Sequence, residues 1–209
     1  MIKVVLCDDH AVVRRGVRDT LSEATDIQVV GEADSYANLR EVLRKQPCDV
    51  LLLDVNLPGR SGLEILASLA EQGPPVKALM VSMYPEDQYA IRCLKAGAVG
   101  YLNKAGDPAE LLVAVRAVSQ GRKYITPQIA ELLANNLAAP AAEELHSTLS
   151  ERELQTLQKI ASGKKLSQIA EELMLSPKTV SVYRARVLEK LGLANNAEMT
   201  VYAIRNGIV

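Results

Sequence analysis

The chain has 209 residues, a length that suits one large or two ordinary domains, and its 48% hydrophobic content allows a sizeable core. The net charge of −1 excludes a polycation or polyanion, but residues 150–209 carry nine Lys and Arg against six Asp and Glu, which favours an anionic partner for this end. Three widely spaced cysteines without a CxxC pair argue against a zinc site or a disulfide framework.

The first 120 residues alternate between strand and helix patterns. Apolar runs predict strands over 2–6, 28–33, 49–54, 76–82 and 99–102, and helical spacing predicts helices over 11–24, 36–45, 63–71, 87–96 and 109–120. Five such units predict an α/β fold, a doubly wound five-stranded parallel sheet with helices on both faces.

The remainder of the chain predicts a linker and a small all-α domain. Residues 123–147 include an Ala-rich, Pro-containing stretch without a strong period, which indicates a linker between domains 1–122 and 148–209. Helices are predicted over 152–161, 167–173, 177–191 and 197–205, the first opened by a capping box and the third by Ser-Pro. A short helix, a tight turn and a longer helix in a basic unit form the helix-turn-helix pattern.

The membrane and secretory classes are not expected. Asp8 and Asp9 interrupt the first apolar run at once, so we expect no secretory signal. No apolar run approaches the ~18 residues needed to cross a bilayer. We therefore expect a cytoplasmic protein without a membrane partner.

Four predicted strands end abruptly in polar side chains. Asp8 and Asp9 follow the first strand, and Asp54 ends the third. Ser82 ends the fourth, and Lys104 follows the fifth. Because ligands bind at the carboxyl ends of strands in open α/β sheets, these groups should gather at one edge. Three carboxylates repel one another unless a cation neutralises them, and a few hard oxygen ligands suit Mg²⁺.

This pattern resembles the receiver domain of bacterial two-component response regulators, a flavodoxin-like fold. The resemblance implies that Asp54 is the phosphoacceptor, a carboxylate nucleophile that forms an acyl phosphate. It implies that Asp9, Asp54 and the backbone carbonyl of Asn56 ligate Mg²⁺ directly, while Asp8 acts largely through metal-bound water.

The same resemblance implies a phosphate-binding and switching set of three residues. Lys104 would pair with a phosphate oxygen, and Ser82 would donate a hydrogen bond to the phosphoryl group. Tyr101 would turn inward as Ser82 moves. A sensor histidine kinase is the implied phosphoryl donor.

Residues 150–209 resemble the helix-turn-helix domain of the NarL/FixJ class, also called LuxR-type. The matching segments are 149–153, 169–173 and 175–180, with Gln168, Tyr183 and 195–196 departing from the usual pattern. The third helix is then expected in the major groove of double-stranded DNA. Its candidate DNA-binding residues are Lys178, Thr179, Ser181, Val182, Arg184, Arg186 and Lys190.

Single units of this kind bind weakly, so we expect a homodimer on phosphorylation or on DNA. The apolar residues of the fourth helix are the candidate dimer contact, with core packing an equal alternative for them. They are Met199, Val201, Tyr202 and Ile204.

Two other functions remain open at this point. An aspartyl-phosphate phosphatase of the haloacid dehalogenase type also uses a strand-end Asp with Mg²⁺. It needs a second Asp two residues later, where Asn56 stands. The other alternative is a DNA-binding protein whose receiver responds to protein contact rather than to phosphate. We expect a DNA-binding transcriptional regulator rather than an enzyme.

Overall fold

A computed structural model of the chain describes residues 1–72, 76–138 and 145–209. The chain divides into two compact units, Met1–Ala138 and Ala139–Val209. Within the described residues, none of the helices combines the length and the apolar character that crossing a bilayer would require.

The first unit contains a five-stranded, all-parallel sheet in the order β2-β1-β3-β4-β5. The order reverses at β1, with β2 on one side and β3 on the other, which confirms the doubly wound α/β fold predicted from the sequence. The strands are β1 (Ile2–Cys7), β2 (Ile27–Ala33), β3 (Val50–Asp54), β4 (Ala78–Ser82) and β5 (Gly100–Asn103).

Helices cover both faces of this sheet, because successive strand residues point to opposite sides. On one face, Leu6, Leu52 and Val81 belong to a core that also includes Leu21 and Val115 from the first and last of the helices that alternate with the strands. These helices are α1 (Ala11–Ser22), α2 (Tyr36–Lys45), α3 (Gly62–Gln72), α4 (Glu86–Lys95) and α5 (Pro108–Ser119).

A further helix, α6 (Pro127–Ala138), lies in the stretch for which the sequence predicted a linker. Tyr124 pairs with Gly100 beside β5, Thr126 Oγ1 donates to Glu86 Oε2 at 2.6 Å, and Ile129 is fully buried. Helix α6 packs on α4 and belongs to the first unit. Residues 139–144 of the predicted linker lie outside the described residues.

The second unit is helical, as predicted. A 3₁₀ turn (Leu145–Thr148) precedes α7 (Glu151–Ala161), α8 (Leu166–Glu172), α9 (Pro177–Leu191) and α10 (Asn196–Arg205). The capping box is present: Ser150 Oγ accepts from the Glu153 amide, and Glu153 Oε2 accepts from the Ser150 amide. Ser176 caps α9, whose end is marked by Gly192 in the left-handed region. Helix α7 packs on α9 and α10, while α8 packs on α9.

Candidate functional site

Polar side chains gather at the carboxyl edge of the sheet in the first unit. Asp8 and Asp9 follow β1, and Asp54 is the last residue of β3. Ser82 ends β4 and Lys104 follows β5. Because these four strands are neighbours in the sheet, their ends place the side chains side by side.

The Lys104 ammonium bridges two of the carboxylates. Its Nζ lies 2.7 Å from Asp8 Oδ2 and 2.7 Å from Asp54 Oδ2. The Asp54 side chain is 3% exposed and that of Lys104 is 5% exposed, so the pair is shielded from water. The Lys104 amide also donates to the carbonyl of Ser82, which anchors the lysine to the end of β4. The structure therefore brings residues from β1, β3 and β5 into one ionic cluster.

Burial dominates the electrostatics of Asp54. Desolvation raises the pKa of Asp54 to about 6, against the opposing attraction and hydrogen bond of Lys104, and Asp8 adds repulsion. The Asn56 amide donates to Asp54 Oδ1 at 3.2 Å. Cys7, at the end of β1, is buried beside the same carboxylates, and burial is the main reason that its pKa rises to about 12. The Cys7 thiol therefore stays protonated at neutral pH.

The chemistry of the donor set fits a divalent cation. The ligand atoms of Asp8, Asp9, His10 and Asp54 all lie within 4.8 Å of one another. Asp9 Oδ1 is buried and accepts no hydrogen bond from the described residues, although His10 Nδ1 lies 2.9 Å away. The protein supplies this oxygen with an imidazole contact but no hydrogen bond, and a cation would satisfy its remaining capacity as an acceptor. Hard oxygen donors of this kind suit Mg²⁺.

Local structure behind Asp54 fixes its backbone. Ser61 and Glu64 form reciprocal side chain to amide hydrogen bonds at the start of α3. A Cβ on Gly62 would lie 2.1 Å from the Asp54 carbonyl oxygen, so only glycine allows α3 to begin this close to the strand end. The glycine thus sets the position from which the Asp54 side chain projects.

The residues assigned to the switch lie on β4, β5 and the loop after β4. Ser82 is buried, and its Oγ accepts from the Tyr84 amide at 3.2 Å. Tyr101 is fully buried, and its hydroxyl donates to the Tyr84 carbonyl at 2.7 Å. Asn103 Nδ2 donates to the same carbonyl at 3.3 Å. Tyr101 is thus in the inward orientation, tied to the loop that follows Ser82.

Several polar groups near the site were missed by sequence reasoning. His10 Nδ1 approaches Asp9, and Arg14 Nη1 donates to the Asp8 carbonyl. Glu32 of β2 pairs with Arg14. His10 directly follows the acidic pair and could have been considered from that position. Nothing in the spacing of Arg14 and Glu32 indicates that they meet, because they lie in different elements.

Helix α9 presents one polar face and one apolar face. Val180, Val187 and Leu191 are buried against the rest of the second unit. The spacing of Lys178, Ser181 and Val182 places them on one face of the helix, opposite the buried residues. All three are exposed, and so is Arg186. Ser181 and Val182 thus lie on the accessible face, with Lys178 and Arg186 beside them.

The other three candidate DNA-binding residues already contact groups in their own unit. Thr179 is half-buried, and its amide donates to Ser176 Oγ in the helix cap. Arg184 Nε donates to Asn196 Oδ1 at the start of α10. Lys190 Nζ lies 2.6 Å from Glu153 Oε2 in α7.

Two of the three departures from the usual pattern in the second unit, Gln168 and residues 195–196, make contacts within their own unit. Gln168 Oε1 accepts from the Lys165 amide, which caps α8. Asn195 Oδ1 accepts from the Glu198 amide, which caps α10, and Asn196 holds Arg184. The substituted positions therefore make contacts that stabilise these helices.

The candidate dimer residues of α10 divide into two groups. Met199 is fully buried and Tyr202 is half-buried, with its hydroxyl 3.3 Å from His146 Nδ1. Val201 and Ile204 are exposed. Core packing accounts for Met199, whereas Val201 and Ile204 are available to a partner.

A doubly wound parallel sheet with an acidic pocket and a lysine at its carboxyl edge, together with a helix-turn-helix unit, defines a response regulator. Residues 4–116 match the family model described as response regulator receiver domain. Residues 147–203 match the model for bacterial regulatory proteins of the luxR family. The chain belongs to the response regulators with a receiver and a LuxR-type DNA-binding domain, and it is a DNA-binding transcriptional regulator rather than an enzyme. The phosphatase alternative is therefore excluded.

Individual relatives match along the whole chain. The chain is 40% identical to response regulator GacA of Pseudomonas aeruginosa over 210 residues, covering all of this chain and 98% of that protein. It is 40% identical to response regulator UvrY of Escherichia coli K12, covering all of this chain and 96% of that protein. Among solved structures, RcsB of Salmonella enterica serovar Typhimurium, bound to promoter rprA with the phosphomimetic BeF3⁻, matches with a TM-score of 0.65 at 25% identity, covering 96% of this chain and 97% of that one.

Proposed function

We propose that Asp54 is the phosphoacceptor of this regulator and that a sensor histidine kinase supplies the phosphoryl group. The observation that carries the proposal is the buried contact of Asp54 Oδ2 and Asp8 Oδ2 with Lys104 Nζ, each at 2.7 Å. A buried carboxylate held by a cation and flanked by further carboxylates is poised for chemistry rather than for packing. Among the strand-end carboxylates, Asp54 is the one on the central strand β3.

In the proposed reaction, an Asp54 carboxylate oxygen attacks the phosphorus of a phosphohistidine. An oxygen–phosphorus bond forms, the nitrogen–phosphorus bond breaks, and the imidazole nitrogen keeps the electron pair and takes up a proton. Lys104, already at the carboxylate, would pair with a phosphate oxygen as a compact point charge. Ser82 would supply a hydroxyl hydrogen bond to the phosphoryl group.

Asp8, Asp9, Asp54 and the backbone carbonyl of Asn56 would hold Mg²⁺. The metal would neutralise negative charge on the phosphoryl group, which is most of what its transfer requires. The closeness of the ligand atoms of Asp8, Asp9 and Asp54, and the Asp9 Oδ1 atom that accepts no hydrogen bond from the described residues, support this assignment.

We assign the output of phosphorylation to Tyr101 and Ser82. Both residues are linked to the backbone of Tyr84: the Tyr101 hydroxyl donates to its carbonyl, and Ser82 Oγ accepts from its amide. A change at Ser82 would therefore reach Tyr101 through the loop. Such a change would bias a two-state receiver.

The second unit would bind double-stranded DNA through α9. Lys178 and Arg186 would contact phosphates, and Ser181 and Val182 would face base edges, since these four share the exposed side of the helix. Thr179 and Arg184 would contribute from the flanks, whereas the ammonium of Lys190 is engaged by Glu153. A homodimer formed on phosphorylation or on DNA would use the exposed Val201 and Ile204 of α10. Chromosomal DNA as the partner agrees with a cytoplasmic location.

The test is phosphorylation of the full chain by acetyl phosphate in the presence of Mg²⁺, read by intact-mass spectrometry and by sedimentation. Wild type should gain one phosphoryl group and shift from monomer to dimer, while Asp54→Asn should do neither. Asp34→Asn, which changes an exposed carboxylate just after β2, is the matched control and should behave as wild type. Labelling of Asp54→Asn at the wild-type rate would refute the assignment. A labelled wild type that stays monomeric would refute dimerisation on phosphorylation, and it would leave both dimerisation on DNA and the acceptor assignment intact.

A further inference from the structure

Arg14, on the first turn of α1, connects the acidic loop after β1, which is formed by Asp8 and Asp9, to the neighbouring strand β2. Its Nη1 donates to the backbone carbonyl of Asp8 at 2.6 Å, and its Nε donates to Glu32 Oε2 at 3.1 Å. The Arg14 side chain is 19% exposed, so these contacts are largely shielded from water. A planar guanidinium can satisfy two acceptors in fixed directions at once.

Glu32 is held in place for this contact. A Cβ on Gly31 would lie 2.4 Å from Val42 Cγ1, which shows that Gly31 faces α2. Because side chains alternate along a strand, Glu32 points to the other face, where α1 lies. Arg18, one helical turn after Arg14, donates from Nη1 to Glu32 Oε1 at 3.1 Å. Two arginines at i and i+4 thus engage the two oxygens of one carboxylate.

We propose that Arg14 is a positioning residue for the metal-dependent phosphorylation of this receiver, an inference that rests on the proposed function. The Asp8 carbonyl belongs to the planar peptide that joins Asp8 to Asp9. Fixing that oxygen fixes the plane from which both carboxylates project. The Asp8 amide donates to the Ala33 carbonyl of β2 at 3.1 Å, so the acidic loop is held from β2 and from α1.

The sign of the effect separates positioning from simple charge. Arg14 is a cation near a site for a cation, so by Coulomb repulsion alone its removal would tighten Mg²⁺ binding. If Arg14 orients the ligands, its removal weakens Mg²⁺ binding instead. Residues that orient metal ligands typically change affinity by about 10-fold or more when they are replaced.

The experiment is Mg²⁺ titration of the unphosphorylated full chain by isothermal titration calorimetry. Arg14→Met should bind Mg²⁺ about 10-fold more weakly than wild type. Arg18→Met is the matched control: it removes the same charge from Glu32 without touching the Asp8 carbonyl, so its Kd should stay unchanged or fall. Glu32→Gln, which loosens the Nε side of Arg14, should weaken binding by less than Arg14→Met does.

Phosphorylation by acetyl phosphate provides the second measurement. The labelling rate of Arg14→Met should be low at limiting Mg²⁺ and return towards wild type at saturating Mg²⁺, whereas Asp54→Asn should stay unlabelled at any concentration. Failure of Asp54→Asn to block labelling would count against the proposed function itself. That outcome is distinct from an altered metal dependence of Arg14→Met.

Three results would overturn the role of Arg14. They are Mg²⁺ affinity in Arg14→Met equal to or tighter than wild type, equal weakening in Arg14→Met and Arg18→Met, and a labelling defect that Mg²⁺ does not relieve. If circular dichroism shows that Arg14→Met does not fold, Glu32→Gln decides the matter. An unchanged Kd in folded Glu32→Gln overturns the proposal.

Discussion

Replacing Lys190 by methionine tests whether this residue serves the fold or the DNA. Its ammonium lies 2.6 Å from Glu153 Oε2 and 3.3 Å from the Thr148 carbonyl. Glu153 is only 2% exposed and also accepts from the Ser150 amide at 2.7 Å, as part of the cap of α7. Lys190→Met keeps most of the aliphatic stem and removes the charge that this buried carboxylate needs.

The expected loss of stability is about 1–2 kcal/mol. A hydrogen bond to a charged group contributes about 1.5–3 kcal/mol. The Lys190 side chain is 39% exposed, so solvent screening reduces the figure. In a small domain, each kcal/mol lowers the melting temperature by about 4–8 °C. Hydrogen exchange in the full chain localises the effect, and amides of α7 and α9 should exchange about 10-fold faster for each 1.4 kcal/mol lost.

The affinity of the full chain for double-stranded DNA, measured over a range of salt concentrations, separates the two roles of Lys190. A lysine that contacts a phosphate contributes about 0.9 to the slope of log affinity against log salt. Lys190→Met should leave that slope unchanged, because its ammonium is committed to Glu153. Lys178→Met, on the exposed face, should lower the slope by about 0.9 and leave stability within about 0.5 kcal/mol.

The pH dependence of the free energy of unfolding gives an independent check on the contact between Lys190 and Glu153. Burial raises the pKa of Glu153, but hydrogen bonds from Lys190 and Ser150 outweigh it, so the pKa lies below its ordinary value. The contribution to stability is therefore present at neutral pH and lost as pH falls through the lowered pKa. Lys190→Met should reduce this acid sensitivity. A slope lowered by about 0.9 in Lys190→Met, with unchanged exchange of α7 and α9, would refute the reasoning and make Lys190 a phosphate contact.

Three other predictions use the backbone, the acceptor and the thiols. Met174 is exposed and has a φ of 52°, so Met174→Gly should raise the stability by about 0.5–1 kcal/mol in chemical denaturation. Gly192→Ala, at a φ of 65°, should lower it by about 1 kcal/mol; the same sign for both variants would contradict the strain argument. Burial raises the pKa of Asp54 from 3.8 to about 6, so between these two pH values the folded protein binds a proton that the unfolded chain has lost. The free energy of unfolding therefore falls as the pH rises through this range, by a total of about 3 kcal/mol. Asp54→Asn should therefore melt above wild type at pH 7.5 in EDTA, and Mg²⁺ should narrow the gap; equal melting temperatures in EDTA would count against a strained, buried charge. Burial raises the pKa of Cys7 to about 12 and that of Cys48 to about 11, so iodoacetamide at pH 8 should label neither thiol in the native protein and both in urea, as counted by mass spectrometry.

Short-range signals in the sequence predicted several elements at their observed bounds. The predicted bounds of α2, Tyr36–Lys45, coincide with those in the structure, and α9 begins after its Ser176 cap and ends before Gly192 as expected. These elements have short-range signals: an apolar period, a capping side chain and a glycine that accepts the left-handed region. The bounds of α6 were not predicted, because its burial comes from packing on α4 rather than from a strong period of its own.

Hydrophobic patterning and motif spacing were enough to predict the fold class, the two-part organisation and the identities of the groups at the ends of the strands. Strand ends in a parallel sheet must meet at one edge, so one-dimensional positions sufficed to group Asp8, Asp54 and Lys104. The pairing of charges, in contrast, depends on how the elements pack against one another. This packing places Lys190 on Glu153, 37 residues away along the chain, and Arg14 on the Asp8 carbonyl and Glu32. Such pairings depend on the distance and direction between side chains of different elements. The period and spacing of hydrophobic residues along the sequence do not specify these distances or directions.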